Sequence, residues 1–284
     1  MQEEIVSSVR KIILDALKED MVEGDITTEV LIPKDDMSLR KAKIVANSEG
    51  VLCGIEVTKE VFRLIFPEIK FIQKLKDGDT FCKKDTLLEI EGPPWAILKG
   101  ERVALNFLQR LCGIATLTRK FVELALPYGV KILDTRKTTP NLRLLEKYAV
   151  KVGGGFNHRY NLTSGILIKD NHIKVVGSVK EAVEKAIKNA PPFSRVEVEV
   201  TSLKEAEEVA ELGVDVIMLD NLNLEEMEKA IKIIREKSQK TLIEVSGGVT
   251  LENVEGIARL RPDFISVGKI THSAPSLDIS LKIL

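Results

Sequence analysis

Arg136 and Lys137 stand side by side at the end of an apolar run, within Asp134-Thr135-Arg136-Lys137-Thr138-Thr139-Pro140. A guanidinium offers a planar fork for carboxylate or phosphate oxygens and an ammonium a mobile point charge, so this pair suits either an anionic ligand or a solvated loop. Gly153-Gly154-Gly155-Phe156-Asn157-His158-Arg159 sets two more donors beside backbone that can approach a ligand closely or take positive φ. Lys169 ends the apolar run Leu167-Ile168, where an amine needs a partner or a ligand. In Val196-Glu197-Val198-Glu199-Val200 the spacing of two turns both carboxylates to one face. That face is either a barrel interior or the wet side of an edge strand. Asp220 closes Ile217-Met218-Leu219, and two carboxylates near one opening can grip sugar hydroxyls, a metal ion or both. Ser246-Gly247-Gly248 and Ser266-Val267-Gly268-Lys269 follow the last two apolar runs. Gly-rich loops in that place, each leading to a helix, hold a phosphate on backbone N–H groups. The ligands implied are a polyanion with more than one carboxylate and a sugar phosphate. No Ser-His-Asp triad, P-loop or dinucleotide-binding fingerprint is present.

These residues need a frame that brings them to one place. From Lys131 onward, Val- and Ile-rich runs alternate with amphipathic helical patterns, which predicts a mainly parallel sheet. The strands expected are Lys131–Thr135, Ile166–Lys169, Val196–Val200, Val216–Leu219, Thr241–Val245 and Phe264–Val267. The helices expected between them are Leu142–Val152, Val179–Lys188, Leu203–Leu212, Leu224–Lys237 and Leu251–Leu260. Polar residues sit at nearly every strand end. A barrel gathers all its strand ends around one mouth and an open sheet only those at a switch point, so an α/β barrel is favoured, incomplete at six strands. The first hundred or so residues follow another rhythm. An amphipathic helix carries Ile5, Val9, Ile12, Ile13, Ala16 and Leu17, and a second helical segment spans Val57 to Phe66. Short runs at Lys41–Ala46, Phe71–Leu75 and Leu87–Glu91 are separated by Gly and Pro turns. This half reads as a small α+β domain with an antiparallel sheet. A helix over Glu101–Cys112 joins the halves, giving domains at 1–112 and 113–270.

Composition narrows the function classes. The 284 residues carry a formal net charge of −1, which argues against a nucleic-acid binder driven by bulk positive charge. Hydrophobic residues reach 44%, enough for a sizeable core. The three cysteines, Cys53, Cys82 and Cys112, show no paired spacing and suggest neither disulfide nor zinc. Charged residues interrupt the first twenty positions, against a signal peptide, and no run is long enough for a membrane span. A cytoplasmic enzyme is expected.

The string Thr135 to Pro140, then Arg143-Leu144-Leu145-Glu146-Lys147-Tyr148-Ala149-Val150 and Gly153 to Arg159, resembles quinolinate phosphoribosyltransferases. Leu-Ile-Lys-Asp-Asn-His at 167–172, the Val-Glu-Val-Glu-Val run, Leu-Asp-Asn at 219–221, Ser-Gly-Gly at 246–248, Ile-Ser-Val-Gly at 265–268 and Thr271-His272-Ser273-Ala274-Pro275 extend the resemblance over essentially the whole chain. It implies an N-terminal α/β sandwich, completed by residues 271–284 and packed on an open α/β barrel, and decarboxylating phosphoribosyl transfer to quinolinate in NAD biosynthesis. It also implies a homodimer whose site borrows Arg102 from the partner, with a hexamer of three dimers left open. In the roles it implies, Arg102, Thr135, Arg136, His158, Arg159 and Lys169 bind quinolinate. Glu199 and Asp220 hold the ribose hydroxyls, and Ser246, Gly247, Gly248, Val267, Gly268, Lys269 and His272 the 5′-phosphate. Lys137, with His172, faces the pyrophosphate of phosphoribosyl pyrophosphate. Magnesium enters with that pyrophosphate, near Glu199 and Asp220. Lys137, Glu199 and Asp220 are thus the expected catalytic residues. Asn141 stands where the family commonly has glycine, so left-handed backbone is expected there. The alternative on the same scaffold is a molybdate-transport-associated relative using another acid; the full cation set favours a dicarboxylate.

Overall fold

In the computed structural model of the chain, residues 2–33 and 35–284 are described, with side chains from Ser8 onward; the Ile5 side chain lies outside the described residues. The chain divides into two compact units. The first comprises Met1–Arg119, Thr138–Gly154 and Ser273–Leu284, the second Lys120–Lys137 and Gly155–His272.

The first unit is built on an antiparallel sheet. Strands β1 (Arg40–Ala46), β3 (Lys70–Ile72) and β5 (Thr86–Gly92) join the C-terminal strand Ile279–Ile283, in the order C-terminal strand, β1, β5, β3. A small ribbon pairs β2 (Gly50–Val51) with β4 (Thr80–Phe81), neither of which the sequence patterns indicated. Alternation along β1 buries Ala42, Ile44 and Ala46 on one face. On the helical side, Val9, Ile13 and Leu17 of the helix Gln2–Asp20 are buried, as are Val61 and Phe62 of the helix Ile55–Ile65. That second helix begins at Gly54, whose φ of 102° is costly for a residue with a Cβ. Its first amides donate to the Asp77 carboxylate, Gly54 N at 2.9 Å and Ile55 N at 3.2 Å, and the Tyr148 hydroxyl donates to the same group at 2.8 Å. These bonds satisfy helix-end donors that would otherwise be stranded.

The helix expected over Glu101–Cys112 runs without a break from Pro94 to Ala125. Gly113 does not end it, because the missing side chain serves packing: a Cβ there would lie 2.0 Å from the Pro275 carbonyl oxygen. A boundary at 112/113 therefore falls inside a helix, and Thr138–Gly154 clusters with the first unit rather than the second. The reason is the burial of Leu145, Glu146 and Tyr148 on the helix Arg143–Val152. Glu146 is tied by Arg110 at 2.8 Å and by the Thr139 hydroxyl, also at 2.8 Å.

The second unit holds six parallel strands: β6 (Lys131–Leu133), β7 (Ile166–Ile168), β8 (Val196–Val200), β9 (Val216–Asp220), β10 (Leu242–Ser246) and β11 (Phe264–Ser266). Their order is β6-β11-β10-β9-β8-β7, so β6 and β7, adjacent in the chain, form the two edge strands. The expected barrel is thus an open one with six strands. Beside β6, Phe156 makes a single parallel bridge to Leu133, with Phe156 N donating to Ile132 O at 2.8 Å. The helices returning the chain start cleanly. Ser178, Ser202 and Asn223 each accept an amide three residues on. The helix Asp170–Val176, directly after β7, was not indicated by the apolar pattern.

Candidate active site

The C-terminal ends of all six strands line one cavity of about 530 Å³. Thr135, Arg136 and Lys137 follow β6, Lys169 follows β7, and Glu199 lies on β8. Asp220 ends β9, Ser246, Gly247 and Gly248 lie at the end of β10, and His158 and Arg159 come from the loop beside β6. A flat sheet could not bring both edge strands and the centre to one opening. The strand curvature does what the barrel argument required.

The cationic side is anchored from behind. Asp134, fully buried, accepts the His158 amide at 2.9 Å and Asn157 Nδ2 at 2.6 Å, which locks the loop carrying His158 and Arg159 to the end of β6. Arg159 donates through Nη1 to Gly165 O at 3.1 Å. Burial, then the adjacent Arg136 guanidinium, hold its pKa below the ordinary value. Two guanidiniums crowded in a half-buried wall repel one another until an anion lies between them. Lys169 Nζ donates to Glu199 Oε2 at 2.5 Å. Glu197 and Glu199 are both buried and β8 is an interior strand of the sheet, so the edge-strand alternative is excluded.

The opposite side is backbone. Gly247 and Gly248 have φ of 87° and 61°, and Asn221 has 55°. A Cβ on Gly247 would lie 2.3 Å from Asn221 Oδ1 and 2.7 Å from Asn221 N, so only glycine lets the loop close against β9. Successive amides in such a conformation form a concavity for an anion. The helices that follow are only Val254–Arg259 and Lys269–His272, so the loops, more than helix dipoles, supply the cradle. Between the two sides lie the carboxylates Glu199 and Asp220, the latter accepting Asn221 Nδ2 at 2.6 Å. These oxygens are the hard donors that suit a magnesium ion or sugar hydroxyls.

The remaining expected residues lie around this cavity or apart from it. Gly268 and His272 adjoin Lys137: a Cβ on Gly268 would meet Lys137 Cδ at 3.1 Å and His272 Cδ2 at 3.2 Å. The Thr271 hydroxyl donates to Lys137 O at 2.8 Å, holding that corner together. Val267 is buried, and Lys269 is exposed at the start of a helix. His172 is exposed, its Nδ1 accepting the Lys169 amide at 2.9 Å. Arg102 is exposed on the long helix of the first unit and is not among the residues lining the cavity. Asn141 has φ of 65°, the left-handed backbone expected of a residue replacing glycine.

Sequence reasoning missed Glu244 and gave no role to Ser266, quoted only as the start of a Gly-rich loop; both are buried and both line the cavity. The signal was present for Glu244: a lone acid inside Leu242-Ile243-Glu244-Val245, the same pattern that drew attention to β8. Burial, then the charge of Glu197, push the Glu244 carboxyl up to about 8.

The N-terminal domain of quinolinate phosphoribosyl transferase matches residues 25–112, and its C-terminal domain matches residues 114–282. Among similar proteins, a probable nicotinate-nucleotide pyrophosphorylase (carboxylating) of Bacillus subtilis is 42% identical over 275 residues, 97% of this chain and 93% of the relative. One of the same name from Archaeoglobus fulgidus is 44% identical over 266 residues, covering 92% and 98%. The crystal structure of NadC from Streptococcus pyogenes superposes with a TM-score of 0.91 at 45% identity, covering 98% of each chain. With both domains matched in order and the cavity residues standing inside those matches, the chain belongs to the quinolinate phosphoribosyl transferase family.

Proposed function

We propose that this chain catalyses phosphoribosyl transfer from phosphoribosyl pyrophosphate to quinolinate with decarboxylation, giving nicotinate mononucleotide, carbon dioxide and pyrophosphate in NAD biosynthesis. The observation that carries the reading is one cavity with two unlike walls, Arg136, Arg159 and Lys169 at the two edge strands and the Gly247–Gly248 loop after the interior strand β10, with Glu199 and Asp220 on the strands between β7 and β10. A dicarboxylate fits the first wall and a 5′-phosphate the second.

The chemistry asks for positioning and charge. Departure of pyrophosphate leaves oxocarbenium character at ribose C1, which the pyridine nitrogen attacks. Arg136, Arg159 and Lys169, with Thr135 beside them, hold the two carboxylates so that this nitrogen faces C1. His158, expected among these ligands, has Nδ1 on the Arg159 amide and Nε2 on Glu197, so it supports this wall without donating to the substrate. Glu199 and Asp220 hold the ribose hydroxyls, and their negative charge stabilises the cationic centre. Lys137, with His172, faces the departing pyrophosphate, while Ser246, Gly247, Gly248, Val267, Gly268, Lys269 and His272 surround the 5′-phosphate. Once the nitrogen is quaternary, the carboxylate next to it leaves as carbon dioxide. The electron pair left on the ring carbon is stabilised by the positive nitrogen until it takes a proton. Glu199 and Asp220 are the oxygen donors that would hold magnesium, which, bound with the pyrophosphate, would neutralise the leaving charge.

The working unit is a homodimer in which Arg102 of one subunit completes the quinolinate site of the other. Exposure of Arg102, and of Ile26, Val30 and Leu31 on the same unit, supports a partner surface there. Both substrates are multiply charged, which supports a cytoplasmic enzyme; among the described residues no helix is long and apolar enough to cross a membrane. Incubation with quinolinate, phosphoribosyl pyrophosphate and magnesium should release carbon dioxide and nicotinate mononucleotide in equal amounts, and nicotinate should not replace quinolinate. A folded protein that forms neither product would refute the assignment. Subunit exchange between Arg102→Ala and Lys137→Ala proteins should restore part of the activity; no recovery after proven exchange would refute sharing of the site.

A further inference from the structure

Beneath the cationic wall lies a buried group that the reaction as described does not use. His158 Nδ1 accepts the Arg159 amide at 2.7 Å, so that nitrogen carries a lone pair and the ring proton belongs on Nε2. Nε2 lies 3.1 Å from Glu197 Oε2 and 3.6 Å from Glu244 Oε2. One N–H thus faces two carboxyl groups, both in the barrel interior. The Glu244 side chain is 2% exposed, and its Oε1 has no hydrogen-bond partner among the described residues; neither does Ser266 Oγ beside the same cavity. Two ionised carboxylates facing the one N–H of a neutral ring would be two buried charges with a single donor between them, at high cost, so the pair must retain a proton. Glu197 is nearer to Nε2 and takes its hydrogen bond, which leaves the retained proton to Glu244.

We propose that Glu244 is a positioning residue that stands beneath the site as a neutral carboxyl, and that with Glu197 it holds the His158 ring with its Nε2 proton turned inward. The effect passes through the chain. The fixed ring accepts the Arg159 amide, and that bond sets where the Arg159 guanidinium stands beside Arg136. A neutral Glu244 also keeps a second negative charge from lying under a dicarboxylate, a consequence that rests on the quinolinate reading above. The groups facing Glu244 are Glu197 on β8, His158 from the loop beside β6, Lys169 after β7 and Ser266 on β11; on β9 its neighbour in register is the uncharged Met218. Burial and the Glu197 charge favour the protonated form, opposed by His158 and Lys169.

The test uses the intact protein with Glu244→Gln, which imitates the neutral carboxyl, and Glu244→Ala, which removes it. Nitrogen NMR of the histidine rings in the unliganded protein should report His158 protonated at Nε2 alone in the wild type and in the Gln variant, and as a mixture of tautomers in the Ala variant. In kinetics, kcat/KM for quinolinate in the wild type should fall by about tenfold per pH unit once Glu244 ionises. Glu244→Gln should stay within about threefold of wild type at pH 7 and lose that alkaline fall, while Glu244→Ala should raise KM for quinolinate about tenfold with less change in kcat. A Gln variant with the wild-type alkaline profile, or one that loses activity more than about a hundredfold at pH 7, would overturn the proposal. So would a His158 ring protonated at Nδ1, or Mn²⁺ broadening of its signals that Glu244→Gln abolishes, which would mark a cation site. The ring measurement needs no substrate. A wild-type protein inactive on quinolinate would therefore sink the functional reading and leave Glu244 to be judged by NMR.

Discussion

Buried acids decide much of this site's behaviour, and each answers differently to its surroundings. Asp134 is fully buried and accepts two donors from the loop it anchors, Asn157 and the His158 amide. Glu244 has only a long approach to His158 Nε2 and is pushed up to about 8 from 4.5. That difference carries a stability prediction with a definite sign. A carboxyl that ionises at higher pH in the folded state than in the unfolded chain contributes stability present in full below the unfolded pKa, and it is lost as pH rises through the folded pKa. For Glu244 the window runs from 4.5 to about 8. The Glu244→Gln protein, which has nothing to ionise there, should gain on the wild type across this window, by roughly 2–5 °C in Tm between pH 5 and pH 8. Thermal denaturation at both pH values checks it, and a Tm difference that does not change with pH would count against a protonated Glu244.

At the scale of elements, glycine positions carry the functional geometry. Gly113 lets one helix run to Ala125 because a Pro275 carbonyl occupies the space of its side chain. Gly247 lets the loop after β10 close against Asn221. Alanine at 247 meets two obstacles, a positive φ and a contact of 2.7 Å with the Asn221 backbone nitrogen that no side-chain rotation can relieve. The loop must then open, and the amides no longer converge on a phosphate. Gly247→Ala should raise KM for phosphoribosyl pyrophosphate by about tenfold to a hundredfold, while direct quinolinate binding, measured by calorimetry, changes by less than about threefold. Equal losses for both ligands would mean that the loop supports the whole cavity and not one wall of it. The expected helix N-terminus contributes less than its place suggested, since Val254–Arg259 and Lys269–His272 are one to two turns long.

At the scale of the whole molecule, the exposed apolar residues of the first unit ask for cover. Ile26, Val30 and Leu31 are each more than 70% exposed on the short helix Ile26–Leu31, whose only buried residue is Thr28. A monomer seldom leaves such a cluster in water. Under the dimer reading, Val30→Glu with Leu31→Glu should shift sedimentation toward the monomer and reduce turnover by about a hundredfold or more through loss of the partner's arginine. Helical content should be unchanged by circular dichroism. A dimer that survives both charges would place the interface elsewhere. Much of this architecture was legible beforehand. The six parallel strands, the helix Leu224–Lys237 to the residue, and the polar strand ends follow from periodicity and from Val- and Ile-rich runs bounded by polar residues. The ribbon of β2 and β4, two residues each, was not, because so short a pattern has no period to read.

The sequence by itself determined which residues are chemically suited to two anions and which turns need glycine, because side-chain type and backbone freedom are local properties. It also determined the parallel sheet, since amphipathic helices between apolar strands have no other way to bury both faces. Tertiary structure decided what no spacing encodes. It chose β6 and β7 as the edge strands that do not pair with each other, it bound Thr138–Gly154 into the first unit, and it set Glu244 beside His158 and Glu197 across three segments far apart in sequence. The last of these is electrostatic, and a charge is costly or harmless only according to what the fold places within a few ångströms of it.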